Sequence, residues 1–145
     1  MPHDLTLKAM NAAHRVWMAL APGRGGWHVG TMPVLELTTK GRRSGNLHRV
    51  LLTSPVQLGG TFVVVASRGG DDRPPAWLLN LQADPRVQIR LGDGPPRPAR
   101  ARVATADQRG ELWPRVTSAY RGYARYQSRT TREIPLVLVE PEASA

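Results

Sequence analysis

The sequence predicts a mostly β, α+β fold: an antiparallel barrel of six or seven strands with peripheral helices. Three observations point to it. Short apolar or β-branched runs recur between turn residues, one hairpin alternates in period two, and no βαβ alternation of the kind that builds a parallel sheet occurs. Closing the sheet into a barrel would remove edges that short strands otherwise leave open. At 145 residues the chain fits one domain, 1–145, large enough to bury a core without disulfides.

Asp4 is an N-cap candidate, and Met10, Ala13, Trp17 and Leu20 follow at steps of three and four, which predicts an amphipathic helix over residues 5–20. Lys8, His14 and Arg15 fall on its polar face. Such a helix docks on its own domain or rests on a membrane surface. Pro22 to Gly26 end it, so residues 1–26 form a helix and loop ahead of the sheet.

Met32 to Thr39 and Leu47 to Ser54 read as a strand pair flanking the loop Lys40-Gly41-Arg42-Arg43-Ser44-Gly45. Gly59-Gly60 signals a hairpin into Thr61 to Ser67, whose nearly continuous apolar run suits a core strand buried on both faces. Arg68 to Pro75 cannot be regular structure, and Ala76 to Ala83 is a short helix stopped by Asp84-Pro85. Arg86 to Leu91 and Arg97 to Ala104 alternate around a Gly/Pro turn, which turns Arg90, Arg100 and Arg102 outward. Thr105 and Gln108 make a capping box for a helix running toward Tyr126 with an interruption near Pro114. Ile134 to Glu140 is the last strand, and 141–145 reads as a frayed tail.

The net charge of +9 arises from 18 Arg against two Lys. Arginine's planar fork suits phosphate and carboxylate, although a GC-rich coding sequence would produce the same bias. No run approaches the roughly 18 apolar residues needed to span a bilayer. The first residues lack a signal-peptide layout, so a cytoplasmic location, with peripheral contact at the inner face of the membrane as an option, is the expectation. The absence of cysteine excludes thiolate ligands and nucleophiles, and the histidines and acids show no metal spacing. No GxSxG elbow, GxxxxGK[ST] loop or GxGxxG fingerprint occurs. The basic hairpin carries no aromatic residue, so no nucleic-acid partner is expected.

The segment from Thr38 to Asn46 combines three cations, three hydroxyls and two glycines, a composition that fits a phosphate. An ordinary basic hairpin turn has the same look. Ser67, at the end of the core strand, either faces a bound ring or bonds the backbone. Trp77 and Asn80 lie three apart on one helix face, as a stacking surface with an amide or as core. Tyr120, Tyr123 and Tyr126 recur in steps of three and are the chain's three tyrosines. They unite ring stacking with a hydroxyl able to donate a proton, or form a structural aromatic stripe.

Taken in order, PVLELTTKGRRSG, VVVASRGG, PAWLLNLQADPRVQI, the tyrosine helix and TTREIPLVLVEP resemble the deazaflavin-dependent nitroreductase family of actinobacteria, also described as F-420-dependent quinone reductases, from Pro33 to Pro141. The resemblance implies a split β-barrel like that of FMN-binding relatives. It implies coenzyme F-420, a deazaflavin with a phosphodiester and an oligoglutamate tail, with FMN as the alternative cofactor. Carried over by motif, Arg42, Arg43, Ser44 and Gly45 would hold the phosphate region, with Lys40, Arg49, Val50 and Leu51 on the flanking strands. Val65, Ala66, Ser67 and Arg68 would line the ring, and Ala76, Trp77 and Asn80 would close its other side. Tyr123 would face cofactor and substrate, with Tyr120 and Tyr126 beside it. The implied reaction moves a hydride from the reduced ring to a quinone or nitroaromatic acceptor, with a proton from Ser67, Tyr123 or water. One departure bears on the acceptor: better-known quinone and nitro reducers of this family carry an aromatic in the strand after the loop, whereas Leu51-Leu52-Thr53-Ser54 has none. The alternatives are a non-catalytic cofactor-binding or nucleic-acid-binding basic module, and a monomer or a homodimer.

Overall fold

The computed structural model describes residues 27–142, so the helix expected over 5–20 and the end of the tail, 143–145, lie outside the described residues. Among the described residues, eight strands, three α-helices and one 3-10 turn follow in order: β1 (Trp27–Val29), β2 (Met32–Lys40), β3 (Leu47–Thr53), β4 (Val56–Leu58), β5 (Thr61–Val65), the turn Arg68–Gly70, α1 (Ala76–Ala83), β6 (Arg86–Leu91), β7 (Arg97–Val103), α2 (Ala106–Ala119), α3 (Gly122–Ser128) and β8 (Leu136–Pro141). All pairings are antiparallel. The sheet runs β1-β2-β6-β7-β8-β5-β4, with β3 added on β2.

β1 and β4 raise the strand count from the expected six or seven to eight. Each is three residues long, too short for a period-two pattern to register. No ladder joins β3 to β4 or β5 among the described residues, so the sheet is a curled half-barrel that brings β3 alongside β5 without closing.

The continuous apolar run of β5 has a direct cause. Val64 points into the barrel interior with Leu35, Leu37, Ile89 and the α1 residues Trp77, Leu78 and Leu81. Val63 and Val65 point the other way, against Leu112 and Val116 of α2 and Tyr123 of α3. β8 divides likewise, with Val137 and Val139 inside and Leu136 and Leu138 under the helices. Each side chain buried in this way contributes about 1.5–3 kcal/mol relative to exposure.

On the β6–β7 hairpin the alternation places Val87, Ile89, Ala99 and Ala101 inside, with Arg86, Arg100 and Arg102 exposed. Arg90 departs from the outward expectation. It is half-buried, 4.8 Å above the Trp27 ring and 3.4 Å from a Glu36 carboxylate oxygen.

α2 opens with the expected capping box: the Thr105 hydroxyl accepts from the Gln108 N–H, and the Thr105 N–H donates to Gln108 Oε1. The interruption falls at Tyr120 (φ −152°, ψ 111°), not at Pro114, which sits inside the helix. Proline removes the N–H that would bond the carbonyl four residues back, and here that carbonyl belongs to the exposed Gly110, where water can serve it. The tail is ordered further than expected, since Pro141 pairs with Ala99 and the Glu142 N–H donates to the Pro98 carbonyl.

The 3-10 turn packs tightly on α3. A Cβ on Gly70 would lie 2.6 Å from the Tyr126 carbonyl oxygen, and Gly70 has φ +86°. Gly59 also has a positive φ, +62°, but nothing within 4 Å of its Cβ position. Gly59→Ala therefore carries only the conformational cost, about 1 kcal/mol, whereas Gly70→Ala adds a backbone overlap and should cost about 3 kcal/mol. Thermal melts of the two variants check this, with a drop roughly threefold larger expected for Gly70→Ala.

Candidate active site

The β2–β3 turn is fixed at its base and open at its tip. The Gly41 N–H donates to the Asn46 carbonyl at 2.7 Å, the Gly45 N–H to the Gly41 carbonyl at 2.9 Å, and the Asn46 N–H to Ser44 Oγ at 3.1 Å. His48 covers Gly41 so closely that a Cβ there would lie 2.8 Å from its Nε2. Asn80, on α1, ties the turn down from below. Its Oδ1 accepts from the Arg42 backbone N–H at 3.2 Å and from Arg42 Nη1 at 3.0 Å, and its Nδ2 donates to Thr39 Oγ1 at 3.1 Å. Arg43 and Ser44 are exposed, and the Arg43 guanidinium has no partner among the described residues.

Strand alternation divides the flanking candidates. Arg49 and Leu51 share the outer face of β3, Arg49 with its Nε 4.0 Å from Glu36 Oε1 and Leu51 buried against Val34, while Val50 points to the interior core. Thr53 ends the strand six residues after Leu47, about 20 Å along it.

At the exit of β5, Ala66 and Ser67 remain buried. No fully buried side-chain polar atom lacks a partner among the described residues, and Ser67 Oγ makes no hydrogen bond there, so this hydroxyl is one that reaches solvent. It does not bond the backbone. Arg68 follows with φ +46°. Arg132 holds this exit: its Nη2 donates to the carbonyls of Ala66 and Ser67 at 3.2 and 3.0 Å, and its Nε to that of Asp71 at 2.9 Å. Asp71 is buried and accepts from Arg68 Nη1 at 2.7 Å and from the Arg73 N–H at 2.9 Å. The Arg73 N–H lowers the Asp71 pKa most; burial opposes it, and the charges of Arg68, Arg73 and Arg132 assist. Trp77 is buried in the interior core beneath Ala66, while Ala76 is exposed.

The three tyrosines meet although Tyr120 lies in the break before α3. Ring centroids are 5.1 Å apart for Tyr120 and Tyr123, 6.1 Å for Tyr123 and Tyr126, and 6.5 Å for Tyr120 and Tyr126. Tyr120 is exposed, Tyr126 half-buried and Tyr123 buried. The Tyr123 hydroxyl is 2.7 Å from Thr53 Oγ1. Burial raises the Tyr123 phenol above its ordinary value, against a smaller lowering by the Thr53 hydrogen bond. Tyr126 is raised too, first by burial and then by the Tyr120 hydroxyl. Both phenols therefore keep their protons at neutral pH.

The structure thus gathers two groups. The Lys40–Asn46 turn, Thr39 and Asn80 lie at one end of β3; Thr53 and the tyrosines lie at the other, with the Ser67–Asp71 turn packed on α3. Arg132, Asp71 and Thr53 escaped the sequence reading. Arg132 acts on carbonyls more than 60 residues away, which no local pattern reveals. No cluster of metal-ligating side chains and no helix long and apolar enough to cross a membrane occurs among the described residues.

A phenol that binds its proton more tightly in the folded chain contributes stability below pH about 10 and loses it as pH rises through the folded value. The melting temperature should therefore fall above pH about 10, and Tyr123→Phe should flatten that fall. Melts from pH 8 to 11 check this; an equal fall in the variant would assign the effect to another group.

Comparison with known proteins places this geometry in a family. The sequence model described as F420H(2)-dependent quinone reductase matches residues 13–141. An F420H(2)-dependent quinone reductase of Mycobacterium tuberculosis is 36% identical over 126 residues, covering 81% of this chain and 80% of its own. The solved structure of an F420-H2 dependent reductase, FDR-A, is 38% identical with a TM-score of 0.66, covering 79% of this chain and 100% of that one. Another solved structure, described as a domain-swapped dimer, is 33% identical with a TM-score of 0.67, covering 94% and 100%. With the β2–β3 turn, the β5 exit and the tyrosine cluster all inside the matched span, the chain belongs to the F420H(2)-dependent quinone reductase family.

Proposed function

We propose that the chain is an oxidoreductase that uses reduced coenzyme F-420 to reduce a quinone, a nitroaromatic or a similar unsaturated acceptor. The observation that carries this reading is the exposed Arg43 guanidinium, without a partner among the described residues, on a turn that Asn80 ties to α1, the helix that also carries Trp77. A cation exposed in this way suits a phosphodiester and carboxylates, and the solvent-reaching Ser67 hydroxyl suits a polar edge of a flat ring. The residues therefore fit the cofactor.

When bound, reduced F-420 supplies the hydride. Arg43, with Lys40 and Ser44 beside it, would hold the phosphate, and Ala66, Ser67 and Arg68 would line the ring. Trp77 would stiffen that wall from within the core and Ala76 would present its exposed edge. Ser67 and Tyr123 hold protons on Oγ and Oη, and either can deliver one to an acceptor oxygen as it gains charge. Tyr120 and Tyr126 offer ring faces for a flat acceptor, and burial keeps water away from Tyr123. A homodimer belongs to this reading, supported by the relative described as a domain-swapped dimer, as does peripheral membrane contact through residues 5–20.

Titration with F-420, followed by its fluorescence, should show saturable binding at micromolar concentration; its absence would sink the proposal. Arg43→Ala should weaken that affinity about tenfold or more, the range of a lost charge-assisted hydrogen bond. Arg115→Ala, an exposed change on α2, should leave it within about twofold. Equal losses would mean that only bulk charge matters. Of Ser67→Ala and Tyr123→Phe, the one that removes the proton donor should lower kcat about 100-fold with F-420 affinity retained. Steady-state rates with menadione distinguish them.

A further inference from the structure

We infer that Asn80 is a positioning residue of the anion turn: it sets the backbone and side chain of Arg42 so that Arg43 meets the phosphate, without touching the cofactor ring itself. This rests on the proposed binding of a phosphorylated ring.

The amide is almost fully engaged. Asn80 is 3% exposed. Its Oδ1 accepts both Arg42 bonds, which uses both lone pairs, and one Nδ2 hydrogen goes to the buried Thr39 hydroxyl. One N–H remains, on a side chain that is almost wholly covered by its own protein neighbours. The partners are 38 and 41 residues away in sequence, so these bonds report tertiary placement and not a local turn.

The chemistry explains the residue type. The position needs an acceptor for two N–H groups and a donor for a hydroxyl on a stem short enough to stay under the turn. Asparagine supplies both. Aspartate would keep the two Arg42 bonds, and the Thr39 hydroxyl could turn to donate to it. Alanine or leucine would lose all three.

The bonds also separate two neighbouring arginines. Arg42 holds the turn to α1 through its backbone N–H and one guanidinium N–H, while Arg43 has no partner among the described residues and is left for an anion. Because Asn80 lies one helical turn after Trp77, the phosphate turn and the wall beneath the ring move as one body.

Two measurements on the full chain test this. Without ligand, hydrogen exchange at the Arg42 amide should be at least tenfold faster in Asn80→Ala, and Asn80→Asp should restore protection. With ligand, Asn80→Ala should raise the Kd for F-420 about tenfold but leave within twofold the Kd for the same deazaflavin and ribityl chain lacking the phosphodiester. Arg42→Ala, an exposed change that removes one of the two bonds, should give a smaller loss for F-420 and none for the phosphate-free ring; it serves if Asn80→Ala does not fold. Equal losses for both ligands would make Asn80 a ring contact, and unchanged Arg42 exchange would show that it positions nothing; either overturns the inference. The exchange measurement needs no cofactor, so failure of F-420 to bind the parent protein would strike the functional reading alone.

Discussion

The Arg132 guanidinium meets the carbonyls of Ala66, Ser67 and Asp71, and the exit of β5 takes its shape from that contact. Beyond Val65 the ladder with β8 is finished, so these carbonyls need other donors or water. A charged donor contributes about 1.5–3 kcal/mol per bond, enough to offset a residue held at positive φ such as Arg68, which costs about 1–3 kcal/mol. The Ser67 hydroxyl is left outward and Gly70 is pressed against α3. Thus the exit of β5 and the helix bearing the tyrosines share one anchor.

That contact also explains part of the arginine excess. Arg109 donates to the Ile134 carbonyl and to Gln127 while lying 4.4 Å from the Trp113 ring, and Arg90 bridges Glu36 and Trp27. These uses need a planar fork with several donors, which lysine lacks. Arg43, Arg100 and Arg115 stand exposed instead. Codon bias accounts for neither the buried contacts nor the placement of Arg43 on a tethered turn.

The elements most legible in the sequence were those whose cause is local. The β6–β7 hairpin alternates because one face is wet; α1 begins after two prolines and stops at Asp84-Pro85; Thr105 and Gln108 cap α2 by a bond three residues long. What escaped depends on distance or on tolerance. β1 and β4 exist because a neighbour supplies their ladder, and Pro114 is accepted where the Gly110 carbonyl it leaves without an N–H belongs to an exposed residue. At the site, the cations of the turn were readable as a class, but that Arg42 is a tether and Arg43 is not became visible only with Asn80 beneath them. The tyrosine spacing suggested one helix face; the cluster forms across a break in the helix instead.

β3 keeps its two ends apart, with the tethered turn before Leu47 and the Thr53–Tyr123 hydrogen bond at the far end. The paired residues Leu47–Leu52 lie between them. In evolutionary terms the two ends can vary separately. If they bind acceptor and cofactor as proposed, changes around Thr53 and Tyr120 would retune which oxidant is accepted without disturbing the turn that holds the phosphate.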